Sequence, residues 1–341
     1  MQGSELAKTR LADVAKLAGV SAATASRAIN SPEKVSARLR DRVAAAVDEL
    51  HYVPHGAARA LASRRSRTIG AVVPTLDIAI FAAGVVGLQN RLDASGYTLL
   101  VANAAYDLEK EAKVVRALIE RGVDGLVLVG NLHAPSVHRL LTRNRIPFVN
   151  TYSFSAGDEA PCIGIDNHGA AYRMVAYLLD LGHRDFGVIT SPVRNNDRIA
   201  ARRDGALAAL VDHGIEPART PVLEVPYTIA DGRSALKSLL GRGGDITAVV
   251  CTADVLAVGA LQECRALGVR VPEEVSVTGF DDLDLAVHLE PPLTTVRVPA
   301  AELGEKAADY LLTRIRGSAV PDRVELTASL IVRGSTGRPR G

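Results

Sequence analysis

The chain has 341 residues, of which 48% are hydrophobic and 23% charged, an ordinary balance for a globular protein. It holds no run of 18 apolar residues, which excludes a membrane-crossing helix, and MQGSELAKTR leads into a helical pattern without the apolar core of a secretory signal. A cytoplasmic protein is expected. Cys162, Cys251 and Cys264 are far apart and lack CxxC spacing, so buried thiols are expected, with no metal site and no cofactor. The net charge of +2 is unevenly spread. Residues 1–67 hold twelve Lys/Arg against six Asp/Glu, a charge of +6, which leaves −4 for the remainder. A basic head on a mildly acidic body suggests a polyanionic partner for the head.

Residues 9–50 read as three short helices. Leu11, Val14, Leu17 and Ala18 have helical apolar spacing, and Gly19 ends that run. Ser21 is a natural N-cap for a second helix that continues to Asn30, where Ser31-Pro32 breaks it. Ser36 suits the cap of a third helix with Leu39, Val43, Val47 and Leu50 on one face. Pro54 stops it from continuing. The stretch from Ala57 to Leu61 has good helix formers but is too short to hold a helix alone.

From Thr68 the pattern changes. Short apolar runs at 69–73, 98–102, 125–129, 147–149, 186–190, 248–250 and 275–280 alternate with amphipathic stretches. The predicted helices lie at about 81–95, 108–121, 135–144, 167–181, 198–213, 230–240, 254–267 and 300–316. Such alternation predicts parallel sheets with helices on both faces. More than six crossovers fit two sheets better than one, with a ligand cleft at the C-terminal ends of the strands.

Residues 12–61 carry a dense motif: DVAKLAGVS, then ATASR, Asn30, VS at 35–36, and ELHYVP followed by ARAL. This string resembles the head of the LacI/GalR repressor family. The resemblance extends along the chain through TIGAVVP, RGVDGLVLVG, LGHRDFGVI, VPEEVSVTGFDDLDLA and PPLTTVRVP. It implies a small all-α helix-turn-helix head followed by an α/β sensor of two doubly wound parallel-sheet lobes, similar to type I periplasmic sugar-binding proteins. The expected domains are a DNA-binding head at 8–52, a hinge helix and linker at 53–67, and an effector-binding and dimerisation domain at 68–341. Within the last, one lobe is expected at about 68–165 and 295–322, the other at about 166–294 and 323–341.

In a helix-turn-helix the second helix enters the major groove, which here is Ser21–Asn30. Ser21, Ala22, Ala23, Thr24, Arg27 and Asn30 are therefore candidate DNA contacts. Small residues permit close approach to base edges and thymine methyls, and Thr24 and Arg27 supply hydrogen bonds. Family members differ at position 22 and its neighbour. Alanine at both leaves discrimination to Thr24, Arg27, apolar contacts or DNA shape. Thr24 also suits packing within a small helical domain. The resemblance adds Tyr52 and the hinge residues Ala58, Arg59 and Leu61, the last as an apolar minor-groove wedge.

For the sensor cleft the resemblance implies Asp77, Phe81, Tyr152, Ser153, Asn196, Arg198, Arg202, Tyr227 and Asp281. Ile78-Ala79-Ile80-Phe81 replaces the family's Asn-Pro-Phe-Phe, and Ala253-Asp254 its Asn-Asp. Arg202 aligns with the family's effector arginine, suited to vicinal hydroxyls or a carboxylate. Other readings stay open: Phe81 suits a core, Arg202 a surface pair with an acid, and Asp281 a cap for the segment after it. An enzyme is excluded on motif grounds, since IGAVVP is followed by no glycine-rich turn and neither GxSxG nor HExxH occurs. The expected function is a cytoplasmic homodimeric repressor on a roughly palindromic double-stranded DNA operator, controlled by a small carbohydrate or polyol. A corepressor-dependent repressor or an activator of the same fold is the alternative; a transport binding protein is the remote one.

Overall fold

The structure is a computed structural model that describes residues 9–53, 65–154, 157, 160–242 and 245–340. It divides into two compact units, Met1–Arg67 and Thr68–Gly341. The break falls where the sequence changes from helices alone to alternating strands and helices.

The first unit contains helices α1 (Leu11–Leu17), α2 (Ala22–Asn30) and α3 (Ala37–Glu49). Val14, Ala18, Ala28, Val43 and Ala46 form its core, with Val20, Leu39, Val47, Leu50 and Tyr52 packed around them. Alanines at the centre let three short helices approach closely. Gly19 turns the chain with φ +62°, a conformation glycine adopts without Cβ strain. The Ser21 hydroxyl accepts the Thr24 N–H at 3.1 Å and caps α2 as its sequence predicts. Ser36 does occupy the cap position of α3, but its side chain makes no capping hydrogen bond among the described residues. Leu17, predicted on the apolar face of α1, is 46% exposed.

The second unit alternates strands and helices: β1 (Thr68–Val73), α4 (Ala79–Asp93), β2 (Thr98–Asn103), α5 (Leu108–Glu120), β3 (Gly125–Val129), α6 (Pro135–Asn144), β4 (Phe148–Thr151) and β5 (Cys162–Gly164). It continues with α7 (Asn167–Asp180), β6 (Phe186–Thr190), α8 (Asp197–Asp212), β7 (Val222–Glu224), α9 (Ile229–Leu240), β8 (Ala248–Cys251), α10 (Asp254–Leu267) and β9 (Ser276–Asp281). The last elements are β10 (Thr294–Arg297), α11 (Ala300–Ile315), β11 (Arg323–Glu325) and β12 (Ser329–Ile331). No described helix is long and apolar enough to cross a membrane.

Two six-stranded sheets result, ordered β11-β5-β4-β3-β1-β2 and β12-β10-β9-β8-β6-β7. Every pairing is parallel except β10 with β12. Each sheet is doubly wound and reverses direction between its first and third strands, β1 and β3 in one and β6 and β8 in the other. Such reversals open a crevice beyond the carboxyl ends of the strands. The central strands are buried apolar runs, as a sheet covered on both faces requires.

The crossings between lobes correct two expected boundaries. Thr294–Arg297 pairs with Thr278–Asp281 in the second sheet, so the return to the first lobe comes after 297 rather than at 295. Arg323–Glu325 pairs with Cys162–Gly164 in the first sheet, so the final crossing follows 325 rather than preceding 323. Strands of three or four residues set both positions, and runs that short carry little periodic signal.

Helix α4 packs on α11, α7 on α8, and α9 on α10. The first contact is made backbone to backbone: a Cβ at Gly304 would lie 2.0 Å from the Gly84 carbonyl oxygen and 2.6 Å from the Leu88 nitrogen. Helix α10 is fixed differently. Asp254, 1% exposed, accepts the Leu283 N–H at 2.8 Å and the Thr295 hydroxyl at 2.5 Å. It thereby holds the segment between β9 and β10. Burial, and then the charge of Asp281, push its carboxyl up to about 7.

Two outcomes follow. Gly304→Ala should destabilise the folded chain by about 1–3 kcal/mol, because its methyl meets backbone that has no rotamer to change; chemical denaturation of both proteins measures this. A carboxyl whose pKa is raised by folding stabilises the protonated folded state, and that contribution is lost as pH rises. Between pH 5 and pH 7 the Asp254 contribution should fall by about 2 kcal/mol. Melting curves across this range should therefore slope less for Asp254→Asn than for the wild type.

Candidate functional site

In the first unit, α2 presents Ser21, Ala22, Ala23, Arg27 and Asn30 on an exposed face, while Ala25 and Ala28 point to the core. Thr24 is half-buried, and its hydroxyl lies 2.8 Å from that of Ser21. Both hydroxyls thus help to shape the start of the helix. The Asn30 amide donates to Ser26 Oγ at 3.2 Å. Tyr52 is half-buried against the core of the unit, so its ring packs as well as offering a hydroxyl. Small side chains at the head of a helix, with a guanidinium one turn on, suit a major groove. Ala58, Arg59 and Leu61 lie outside the described residues.

In the second unit a cavity opens at the carboxyl ends of the strands. The N-cap and first turn of α4, which follows β1, supply Ile78, Ile80 and Phe81; the loops after β2 and β4 supply Tyr106 and Tyr152. The other lobe supplies Asn196, Arg198, Ile199 and Arg202 after β6, Tyr227 after β7, and Asp281 at the end of β9. Seven of the nine predicted residues therefore line one cavity. Asp77 does not; it is exposed, and its carboxylate accepts the Thr75 hydroxyl at 3.2 Å. Ser153 is buried but lies outside the lining. Tyr106, Ile78, Ile80 and Ile199 escaped the sequence reading. Tyr106 carried one signal, a scarce aromatic directly after a strand.

Arg202 is 6% exposed. Its Nε donates to Asn167 Oδ1 at 2.9 Å, and its Nη1 donates to the Thr252 carbonyl and to Asp281 Oδ1, both at 3.0 Å. The guanidinium carbon lies 3.7 Å from the centre of the Phe280 ring. The second carboxylate oxygen of Asp281 accepts the Tyr227 hydroxyl at 3.2 Å. Burial holds the Asp281 carboxyl above the ordinary range despite the opposing pull of Arg202. Burial also raises Tyr106, Tyr152 and Tyr227, with the Asp281 charge adding to each. These tyrosines stay protonated at neutral pH, so they offer hydrogen bonds and apolar faces rather than nucleophiles. Tyr152 donates to the Ile80 carbonyl at 2.9 Å and meets Phe81 edge to face, their ring centres 5.3 Å apart.

Several bonds cross from lobe to lobe. Asn167 donates to the Tyr152 carbonyl at 2.8 Å. Asp197 accepts the Asn131 N–H at 2.9 Å, and Asn195 donates to the Tyr106 carbonyl at 3.1 Å. Gly130 sits against this contact: a Cβ there would come within 2.0 Å of Arg198 Nη1. Tyr106, Tyr152, Asn195, Asp281 and Asp282 all have positive φ. Strain of that kind persists only where surrounding structure enforces it, and it gathers at ligand clamps.

Comparison with known proteins agrees with both units. Residues 10–55 match the family described as "Bacterial regulatory proteins, lacI family", and residues 175–336 match "Periplasmic binding protein-like domain". The chain is 36% identical over 343 residues to the HTH-type transcriptional regulator MalR of Streptomyces coelicolor, with 98% of each chain covered. It is similar to the structure of the lac repressor dimer bound to operator and the anti-inducer ONPF (TM-score 0.87, 28% identity, 96% of this chain and 99% of that one). It is also similar to the complex of the transcriptional regulator CelR with cellobiose (TM-score 0.70, 32% identity, 96% and 99% covered). With its helix-turn-helix head and its paired parallel-sheet lobes, the chain belongs to the LacI family of DNA-binding transcription regulators, and not to an enzyme family.

Proposed function

We propose that this regulator is a cytoplasmic repressor that binds a roughly palindromic operator as a homodimer, and that a small carbohydrate or polyol in the interlobe cavity sets its operator affinity. One observation carries the reading: the cavity joins a hydrogen-bonded arginine–carboxylate pair to aromatic walls, and its rim is held by bonds from both lobes. Polar groups of that kind suit hydroxyls, while aromatic faces suit the apolar side of a sugar ring. A ligand that fits one arrangement of the lobes better than another shifts the population between them. The lac repressor structure is a dimer on operator DNA, and that of CelR holds cellobiose; both support the assignment by likeness.

DNA contact is assigned to Ser21, Ala22, Ala23, Thr24, Arg27, Asn30 and Tyr52 in the head. Residues 53–67 are assigned as the hinge, with contacts from Ala58, Arg59 and Leu61 resting on the motif alone.

Selection from random duplexes should return a two-fold-related site. Affinity for it should fall steeply with salt as phosphate contacts release counterions. Arg27→Ala should weaken binding to the selected site by about 1–3 kcal/mol, close to tenfold or more. Titration in the presence of cellobiose, maltose and simple polyols then gives the sign of regulation. A salt-independent interaction, or a selection that returns no palindrome, contradicts the DNA assignment. Operator affinity that no sugar or polyol moves contradicts the effector assignment.

A further inference from the structure

The turn after β3 meets the other lobe through one peptide group. The Asn131 N–H donates to Asp197 Oδ2 at 2.9 Å. The carbonyl of the same peptide group is that of Gly130, and it lies 2.9 Å from His133 Nε2. A carbonyl only accepts, so Nε2 carries a hydrogen and donates it. A trans peptide group is planar, with its C=O and N–H on opposite sides. A hydrogen bond that fixes the carbonyl therefore also aims the N–H.

His133 is itself held. It is 8% exposed, and its Nδ1 lies 2.9 Å from Oε1 of Glu111, a residue of α5 that is 7% exposed. One proton lies between those two atoms, because neither can bond the other without it. Taking such a pair out of water costs free energy that apolar side chains would not incur, so packing alone does not account for it. Gly130 completes the turn. Its φ of +85° suits glycine, and a Cβ there would come within 2.4 Å of Asp197 Oδ1. Across the contact, Asp197 opens α8, and its Oδ1 accepts from Arg198 Nη1 at 2.9 Å.

We infer that Glu111 and His133 are positioning residues: they hold the 130–131 peptide group so that its N–H meets Asp197, and the resulting bond ties the lobes together separately from the hydrogen bonds of Arg202. Glu111, Asn131, His133 and Asp197 all lie outside the lining of the cavity that contains Arg202, and none is among the hydrogen-bond partners of Arg202 given above. Arg198 joins the two places, since it lines the cavity and donates to Asp197. A ligand that moves the turn after β3 away from α8 must break this tie, so the tie sets part of the free energy that the ligand has to supply. That consequence rests on the effector reading above; the tie itself does not.

Hydrogen exchange of the full chain without ligand, resolved to single amides, reads the tie at Asn131. The Leu126 amide, which donates to the Pro147 carbonyl at 2.9 Å, reports whether the lobe stays folded. Asp197→Ala removes the acceptor, while Glu111→Ala and His133→Ala keep it and free the peptide group. Each should speed exchange at Asn131 roughly tenfold or more and leave Leu126 within about twofold. Glu111→Gln should keep the wild-type rate, because its amide donates to His133 Nδ1 and leaves the Nε2 hydrogen for the Gly130 carbonyl. Wild-type exchange at Asn131 in Asp197→Ala overturns the tie. Exchange that quickens in Asp197→Ala but in neither Glu111→Ala nor His133→Ala overturns the positioning role, as does a Glu111→Gln variant that exchanges like Glu111→Ala. Operator titration tests the consequence: a sugar that shifts wild-type affinity should act on His133→Ala at a concentration about threefold lower or less. An unchanged midpoint overturns that consequence and leaves the tie. A wild type that no sugar moves overturns the effector reading, and the exchange rates still decide the tie. Either of Glu111→Ala and His133→Ala suffices in both measurements should the other fail to fold.

Discussion

A guanidinium buried among strand ends must be met by acceptors on several sides, and Arg202 organises the sensor through that demand. Its partners come from three places: the first residue of α7, the end of β8 and the end of β9. Phe280 covers its face. Asp281 reaches it from a backbone with φ +122°, and the adjacent Asp282 is tied to Arg297 and Arg333 at 2.7 and 2.6 Å. The strained exit of β9 is thus held from both directions. Asn167 then passes the connection on, accepting from Arg202 and donating to Tyr152 in the other lobe. The cavity-lining Arg202 is thus one hydrogen bond away from a contact that ties one lobe to the other. Under the proposed function, a ligand that competed for Asp281 would disturb Arg202 and, through Asn167, the interlobe contact, as coupling between a site and a two-state element requires.

Much of this architecture is legible in the sequence. The three head helices follow from apolar spacing and from Ser21, and the long sensor helices differ from their predicted bounds by two residues or fewer. Strands such as GLVLV and FGVIT are apolar runs buried on both faces. What escapes is short. The strands at 162–164, 222–224, 323–325 and 329–331 have three residues each and that at 294–297 has four, and their pairing is decided by distant neighbours rather than by pattern. The two displaced lobe boundaries have this origin.

The site divides along the same line. Positions at strand ends or in the loops and first helical turns that follow them, such as Tyr152, Arg198, Arg202, Tyr227 and Asp281, converge on one cavity because parallel strands deliver these segments to one edge. Asp77 fails because the loop after β1 departs from the family pattern: the apolar Ile78 and Ile80 turn inward and the carboxylate stays in water. Arg202 lines the cavity, and it is also paired with an acid, the other reading its sequence left open, though buried rather than on the surface. The sequence suggests a guanidinium offered to a ligand, yet the structure has it already bound to protein acceptors. Removing it alone would leave Asp281 buried without its counter-charge.

If, as proposed, a ligand in this cavity acts on operator binding through the Arg202–Asp281 pair, the pair is where that coupling can be broken. The most direct test removes the charge pair without leaving either member alone. Operator affinity of Arg202→Met combined with Asp281→Asn should be measured beside the wild type, with and without a sugar that shifts the wild type. A folded variant with nearly wild-type operator affinity that the sugar no longer changes is the expected result. A double variant that answers the sugar as fully as the wild type would contradict it.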